Sequence, residues 1–237
     1  MYWVLSLLLS GCAPKLISAE PLPSTQPEIC QQPAEGQIEI KQWRLPNDEK
    51  RKPLVREYLT IHQEGYETSD DLEKDIKMIP KIIVLHWTAG KTAKSTWNAF
   101  SSATISSRRH KKNQGYLNVG TQFLVDRDGT IYQLMDEDRV ARHCIGLNHL
   151  SIGVENVGGI EGYPLTKKQV DANVALIKYL HAKYPITHVI GHYEYLSLEG
   201  TEYFSEKDPK YRSYKRDPGK SFMAKVRSQI AELNLQP

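Results

Sequence analysis

Lys81-Ile-Ile-Val-Leu-His86 constrains this chain more than any other stretch: a short apolar, β-branched run bounded by Pro80 and Gly90, which suits a buried strand and ends on a histidine. Thr121-Gln-Phe-Leu-Val-Asp126 and Thr130-Ile-Tyr-Gln-Leu-Met135 are joined through Asp128-Gly129, a hairpin-turn dipeptide. Ile152-Gly-Val-Glu-Asn-Val157 reads as another strand, stopped by Gly158-Gly159, and Thr187-His-Val-Ile-Gly191 as a short one leading directly to His192. Thr166 is placed to cap a helix in which Val170, Val174, Ile177 and His181 recur at helical spacing. A last amphipathic helix after Pro218 would turn Phe222, Val226, Ile230 and Leu233 inward. The expected fold class is α/β, with one mixed central β-sheet flanked by helices.

The 237 residues, 40% of them apolar, give room for one domain of ordinary size plus some unstructured length. A formal charge of +3 is too small and too dispersed for a nucleic-acid footprint, so no nucleic-acid partner is expected. Three cysteines, at 12, 30 and 144, cannot build a dense disulfide scaffold, and the odd count asks what else one of them does. Cys12 is the candidate. It follows Leu9-Ser10-Gly11 at the end of the apolar run Val4 to Leu9, which is too short to span a bilayer and suits a processed signal. That string resembles the lipobox of bacterial lipoproteins, which implies lipidation at Cys12, a signal peptide over 1–11 and a membrane anchor. Ala13 then favours the outer membrane, on the periplasmic side of a bacterial envelope. No Lys or Arg precedes the apolar run, so the start codon is expected upstream. From Ala13 to about Gln37, Pro14, Pro21, Pro23, Pro27 and Pro33 alternate with Ser, Thr and Gln, an extended tether. Residues 38–237 then form the folded domain with an N-terminal extension packed on it.

Of the eight histidines, His86 and His192 both stand where a strand gives way to a loop, a common place for ligands on a rigid scaffold. A lone histidine is more often structural. With Asp217, however, they make two imidazoles and one carboxylate with an open position, a common catalytic zinc set. Such a site polarises a carbonyl and activates water, which suits amide hydrolysis. Glu155 is the candidate base. Lys215, two residues before Asp217, can reach the same cavity and stabilise negative charge developing on the carbonyl oxygen.

These motifs resemble the type 2 zinc N-acetylmuramoyl-L-alanine amidases, related to peptidoglycan recognition proteins and amidase-type phage lysozymes, over roughly Ile82 to Phe222. The matching segments are Val84-Leu-His86-Trp-Thr-Ala89, Gly120 to Thr130, Ala141-Arg-His143 with Asn148 to Glu155, Gly191-His192, and Lys215-Arg-Asp217-Pro-Gly219. The resemblance implies one Zn²⁺ held by His86, His192 and Asp217 in a surface groove at strand ends. It further implies Glu155 as catalytic carboxylate, Lys215 as transition-state stabiliser, and His143 and Asn148 lining the cleft against substrate. The implied reaction is hydrolysis of the bond between N-acetylmuramic acid and L-alanine in peptidoglycan or muropeptides, for wall remodelling or recycling. His143 is the substitute ligand if one of the three is not used.

Two departures from the family pattern stand out. His192 and Asp217 lie 25 positions apart, with Glu199 to Tyr214 inserted; its Lys207-Asp208-Pro209 is a decoy for the Lys215 to Pro218 string. The inserted aromatics Tyr203, Phe204, Tyr211 and Tyr214 are expected to wall the groove and touch glycan or stem peptide. Thr121 and Gln122 stand where relatives often carry an aromatic, and no oxyanion role is assigned to them. A wall-binding receptor that does not cleave, and a structural lipoprotein tether, remain the alternatives from other classes.

Overall fold

The computed structural model describes residues 38–105 and 114–237 besides Met1. Cys12, Cys30 and the Pro-rich tether through Gln37 lie outside the described residues.

Six strands form one mixed sheet: β1 Ile40–Gln42, β2 Ile82–Trp87, β3 Phe123–Val125, β4 Ile131–Gln133, β5 Ser151–Asn156 and β6 His188–Gly191, in the order β1-β4-β3-β5-β2-β6. Only the β3–β4 hairpin is antiparallel; β5, β2 and β6 run parallel through the centre. Ile82 to Leu85 are wholly buried, as a parallel strand covered on both faces requires. Each such side chain contributes roughly 1.5–3 kcal/mol relative to an exposed one. This is the α/β architecture expected from the sequence.

Alternation along β2 sorts its side chains. Ile83 and Leu85 belong to a core with α4 (Lys167–Lys183) and α5 (Lys220–Ser228), whereas Ile82 and Val84 pack with Cys144, Leu147, Leu150 and Tyr195. His86 continues the second set by the two-residue period of a strand. At the outer edge of β6, Gln236 adds a short parallel bridge to His188.

Helix α4 starts where expected, on a capping box: the Thr166 hydroxyl accepts from Gln169 N while the Gln169 side chain accepts from Thr166 N. Its buried face differs from the expected stripe. Gln169, Val170, Ala172, Asn173, Leu176, Ile177 and Leu180 are buried, whereas Val174 and His181 sit at its margin. Counting apolar residues alone placed the stripe off centre, because Gln169 and Asn173 point inward to satisfy strand-end groups: Gln169 donates to Val125 O and Val157 O, and Asn173 to the Asn156 side chain. Helix α5 stops at Ser228, so Ile230 is buried beyond the helix and Leu233 lies in a following 3-10 turn.

Helices α1 (Asp48–His62), α2 (Leu72–Asp75) and α3 (Ala93–Ser101) were not foreseen. The inward face of α1 is Arg51, Val55, Tyr58, Leu59 and His62, a regular helical stripe in which three of five members are polar or aromatic. An apolar-only reading skips those three, and Pro53 inside the helix discourages it further. The inserted segment packs back onto α1: His62 Nδ1 lies 3.0 Å from both Glu206 carboxylate oxygens, and the Tyr211 ring lies tilted against His62.

Thr166→Ala removes the hydroxyl half of the capping box, the bond from Gln169 N, and is expected to lower stability by about 1 kcal/mol. Urea unfolding should show an earlier midpoint with an unchanged slope; an unchanged midpoint contradicts the role given to the cap.

Candidate metal centre

Strand register assembles the site. Val84 pairs with Gly153 and His86 with Glu155 across β2 and β5, while Leu85 pairs with Gly191 across β2 and β6, so His192 emerges beside His86. Tyr193 N donates to Asp217 O at 3.0 Å and draws the chain beyond the insertion back to the end of β6. The outcome is a triangle of donor atoms: His86 Nδ1 to His192 Nδ1 is 3.0 Å, His192 Nδ1 to Asp217 Oδ2 is 3.0 Å, and His86 Nδ1 to Asp217 Oδ2 is 3.2 Å. Among the described residues this is a group of His, Asp, Glu or Cys side chains able to hold a metal ion. Asp208, the decoy, instead sits in an exposed turn where its carboxylate accepts from Lys210 N.

Electrostatics prepare the donors. Burial, reinforced by the neighbouring His86, pushes His192 down to about 4, so it is neutral at pH 7. Burial opposes ionisation of Asp217, but the adjacent His192 and His86 rings, whose Nδ1 atoms lie 3.0 and 3.2 Å from its Oδ2, outweigh it and hold the carboxyl well below its usual range. His143 is lowered well below its ordinary value, by burial first and then by His86.

A chain of hydrogen bonds fixes which nitrogen of His86 faces the triangle. Ser151 O, a carbonyl, can only accept, and it lies 3.2 Å from His143 Nε2, which therefore carries the proton. A neutral ring has one N–H, so His143 Nδ1 accepts from His86 Nε2, 3.1 Å away. His86 is left with a lone pair at Nδ1, aimed at His192 and Asp217. Outer partners of this kind orient a metal-binding imidazole and raise its basicity. His143 thus lines the cavity and also positions His86. From the other side Asn156 Nδ2 donates to His86 O at 3.0 Å, and Asn173 holds Asn156.

Gly153 makes room for this chain, and the sequence reading passed over it. It lies between Ser151 and Glu155 on the same strand face, and a Cβ there would come within 2.8 Å of the His143 ring and 2.7 Å of Thr121. A glycine inside a strand pattern is the signal that was available, since it marks a close approach.

The cavity over the triangle has a volume of about 250 Å³ and is lined by Trp87, Thr121, Arg142, Glu155 and Lys215 among others. Glu155 Oε2 is buried without a hydrogen-bond partner among the described residues, and burial pushes its pKa up to about 7. Asn148, expected to line the cleft against substrate, stands in the wall of a cavity adjoining the metal centre, with its amide bonded within the fold. Its oxygen accepts from His143 N and Cys144 N, and its nitrogen donates to Tyr58 Oη, so it holds the turn that carries His143. Thr121 and Gln122 are likewise bonded internally, to Phe123 O and Arg139 O. Of the inserted aromatics, Tyr203 packs on His188, Phe204 on Tyr195 and Tyr211 on His62, while Tyr214 is exposed.

Residues 76–220, more than half of the chain, match the family described as N-acetylmuramoyl-L-alanine amidase. The chain belongs to that family. Among curated relatives of the chain, the endolysin of Enterobacteria phage K11 is 37% identical over 92 residues, 37% of this chain and 61% of the endolysin. The endolysin of Escherichia phage T7 is 47% identical over 66 residues, 28% of this chain and 41% of the endolysin. The chain thus spans less than two thirds of the length of these relatives. Among solved structures, the N-acetylmuramoyl-L-alanine amidase LysC from Clostridium intestinale URNW aligns over 84% of this chain and 100% of its own, at 20% identity and a TM-score of 0.49.

Gly153→Ala should push His143 off His86 and lower metal affinity roughly 10–100-fold, the usual cost of losing such an outer partner. Competition against a chromophoric chelator at neutral pH measures it; unchanged affinity would show that the His143 chain does not position the ligand.

Proposed function

We propose that the chain is a zinc-dependent N-acetylmuramoyl-L-alanine amidase that hydrolyses the amide between N-acetylmuramic acid and L-alanine in peptidoglycan or muropeptides. The observation that carries this reading is the donor triangle with Glu155 beside it. Donors 2.0–2.1 Å from a tetrahedral zinc stand roughly 3.3–3.4 Å apart, and the triangle edges are 3.0, 3.0 and 3.2 Å. Two imidazoles and a carboxylate, with His192 neutral and Asp217 ionised at pH 7, suit zinc that keeps a position open for chemistry. His86, His192 and Asp217 would hold the ion, which when bound supplies a Lewis acid for the substrate carbonyl and an acidified water.

The remaining work falls to the chain. Glu155, ionised about half the time near neutral pH, accepts a proton from the attacking water as its oxygen adds to the lactyl carbonyl carbon of muramic acid. It then delivers that proton to the alanine nitrogen as the C–N bond breaks, which leaves a free carboxylate and a free amine. Lys215, in the cavity lining, places a positive charge near the carbonyl oxygen as that oxygen gains electron density. The parallel core keeps these groups fixed while substrate exchanges.

The same reading places the protein at the cell wall, for remodelling or recycling. We also propose lipidation at Cys12, with the Pro-rich segment through Gln37 giving reach from the outer membrane to periplasmic substrate. The lipobox-like Leu9-Ser-Gly-Cys12 string supports this; no helix among the described residues is long and apolar enough to cross a membrane.

Digestion of purified peptidoglycan should release stem peptides beginning at L-alanine, identified by mass, with release lost to a chelator and restored by zinc. Zinc and muropeptide both bound, yet nothing released, would favour the wall-binding receptor instead. Because the ionised form of Glu155 is the base, kcat/KM should rise with pH, reach half its plateau near 7 and stay high above it. Glu155→Gln should remove that limb and cost roughly 10²–10⁴ in rate with zinc retained; a variant still active with the same pH limb would refute the assignment.

A further inference from the structure

A second cavity of about 230 Å³ adjoins the metal centre and shares Val119, Arg142, His143, His192 and Lys215 with it. Its outer wall is the inserted segment at Lys210, Tyr211, Arg212 and Ser213. The charged groups of the two halves contrast. The metal-centre cavity includes the carboxylates of Glu155 and Asp217, whereas the adjoining one is lined by Arg142, Lys210, Arg212 and Lys215 with no Asp or Glu.

Arg142 is the unusual member. Its side chain is buried, yet no carboxylate pairs with it among the described residues: one terminal nitrogen donates to Leu117 O at 2.7 Å, the other to Tyr211 Oη at 3.0 Å, and the guanidinium lies over the Tyr58 ring. Arg51, also buried, differs by spending its guanidinium on the three carbonyls of Asn118, Phe100 and Ser102 and by lining neither cavity. A guanidinium has five N–H donors, so Arg142 keeps some in hand. Removing an unpaired charge from water is costly unless an anion completes it. Lys210 is exposed and adds positive charge at the rim, whereas Arg212 is compensated by Glu199 at 2.7 Å.

We infer that Arg142, with Lys210 of the insertion, forms a carboxylate-binding subsite that takes the free carboxylate of the second stem-peptide residue. This rests on the amidase reading. The glycan of an N-acetylated muramoyl substrate is uncharged once its lactyl group is in amide linkage, so only the stem peptide brings carboxylates. The second residue lies one Cα–Cα step, about 3.8 Å, beyond the alanine, which suits a cavity sharing His192 and Lys215 with the metal centre. The positive wall therefore sets the direction of the substrate: stem peptide toward the insertion, sugar away from it. A fork-shaped guanidinium suits a carboxylate held by paired hydrogen bonds.

The test uses the full zinc-loaded chain and two N-acetylmuramoyl dipeptides that differ only in that the second residue's carboxylate is free or converted to a carboxamide. The free acid should be cut with at least 10-fold higher kcat/KM, and Lys210→Glu and Arg142→Gln should each bring the ratio toward one. Lys210 is exposed, so its variant separates lost recognition from lost folding. Affinities of both compounds for the Glu155→Gln protein read the subsite without turnover. Tighter binding of the acid supports the subsite even if the wild type cuts neither compound, an outcome that would sink the amidase reading alone. Equal affinity and equal kcat/KM for acid and carboxamide in the wild type overturn the inference.

Discussion

Everything at this site depends on the register of three parallel strands. With His86 opposite Glu155 on one side and Leu85 opposite Gly191 on the other, the histidine in the central strand stands between a carboxylate and a second histidine. A slip by one residue would turn His86 to the face covered by α4 and α5 and bring Leu85 to the cavity. The burial of Ile82, Ile83, Val84 and Leu85 prevents that slip, because both faces of β2 are fully committed to apolar neighbours. Packing of the core and geometry of the site are one constraint.

Around that register the fold arranges a directional set of hydrogen bonds. Ser151 O sets the proton on His143, His143 sets it on His86, and His86 is left to offer a lone pair toward His192 and Asp217. Gly153 is the steric condition for this sequence of contacts, since any side chain there would occupy the ring of His143. The same burial that keeps His192 and His143 neutral also raises Glu155. One environment, closed to water on the sheet side, therefore prepares the candidate ligands and the proposed base together, because desolvation disfavours the charged form of each.

The inserted segment between His192 and Asp217 is a built part of the domain. Glu206 reaches the buried His62 of α1, Tyr211 packs against that histidine and accepts from Arg142, and Phe204 lies against Gly146. These contacts join the insertion to α1 and to the turn carrying His143. An element that looks dispensable by comparison with a shorter pattern thereby walls the cavity next to the metal centre.

Strands β2 to β6, the capped helix α4 and the residues His86, Glu155, His192, Lys215 and Asp217 were legible in the sequence, because each rests on local signals: an apolar β-branched run, a turn dipeptide, a capping residue, a histidine where a strand ends. What local signals leave out is who faces whom. Helix α1 stayed hidden because its inward stripe uses Arg51, Tyr58 and His62, whose burial makes sense only once Phe100 O, Asn148 and Glu206 are there to satisfy them. Asn148 read as a residue lining the cleft, and the structure sets it in a cavity wall while also tying its amide to His143 N, Cys144 N and Tyr58 Oη. The order of residues determined the chemistry available to this protein; its arrangement in space decided which polar groups are used up within the fold and which, like Arg142 and Glu155, are left facing a cavity. Hydrogen-bond satisfaction is a property of distant segments brought together, and no single stretch of sequence contains it.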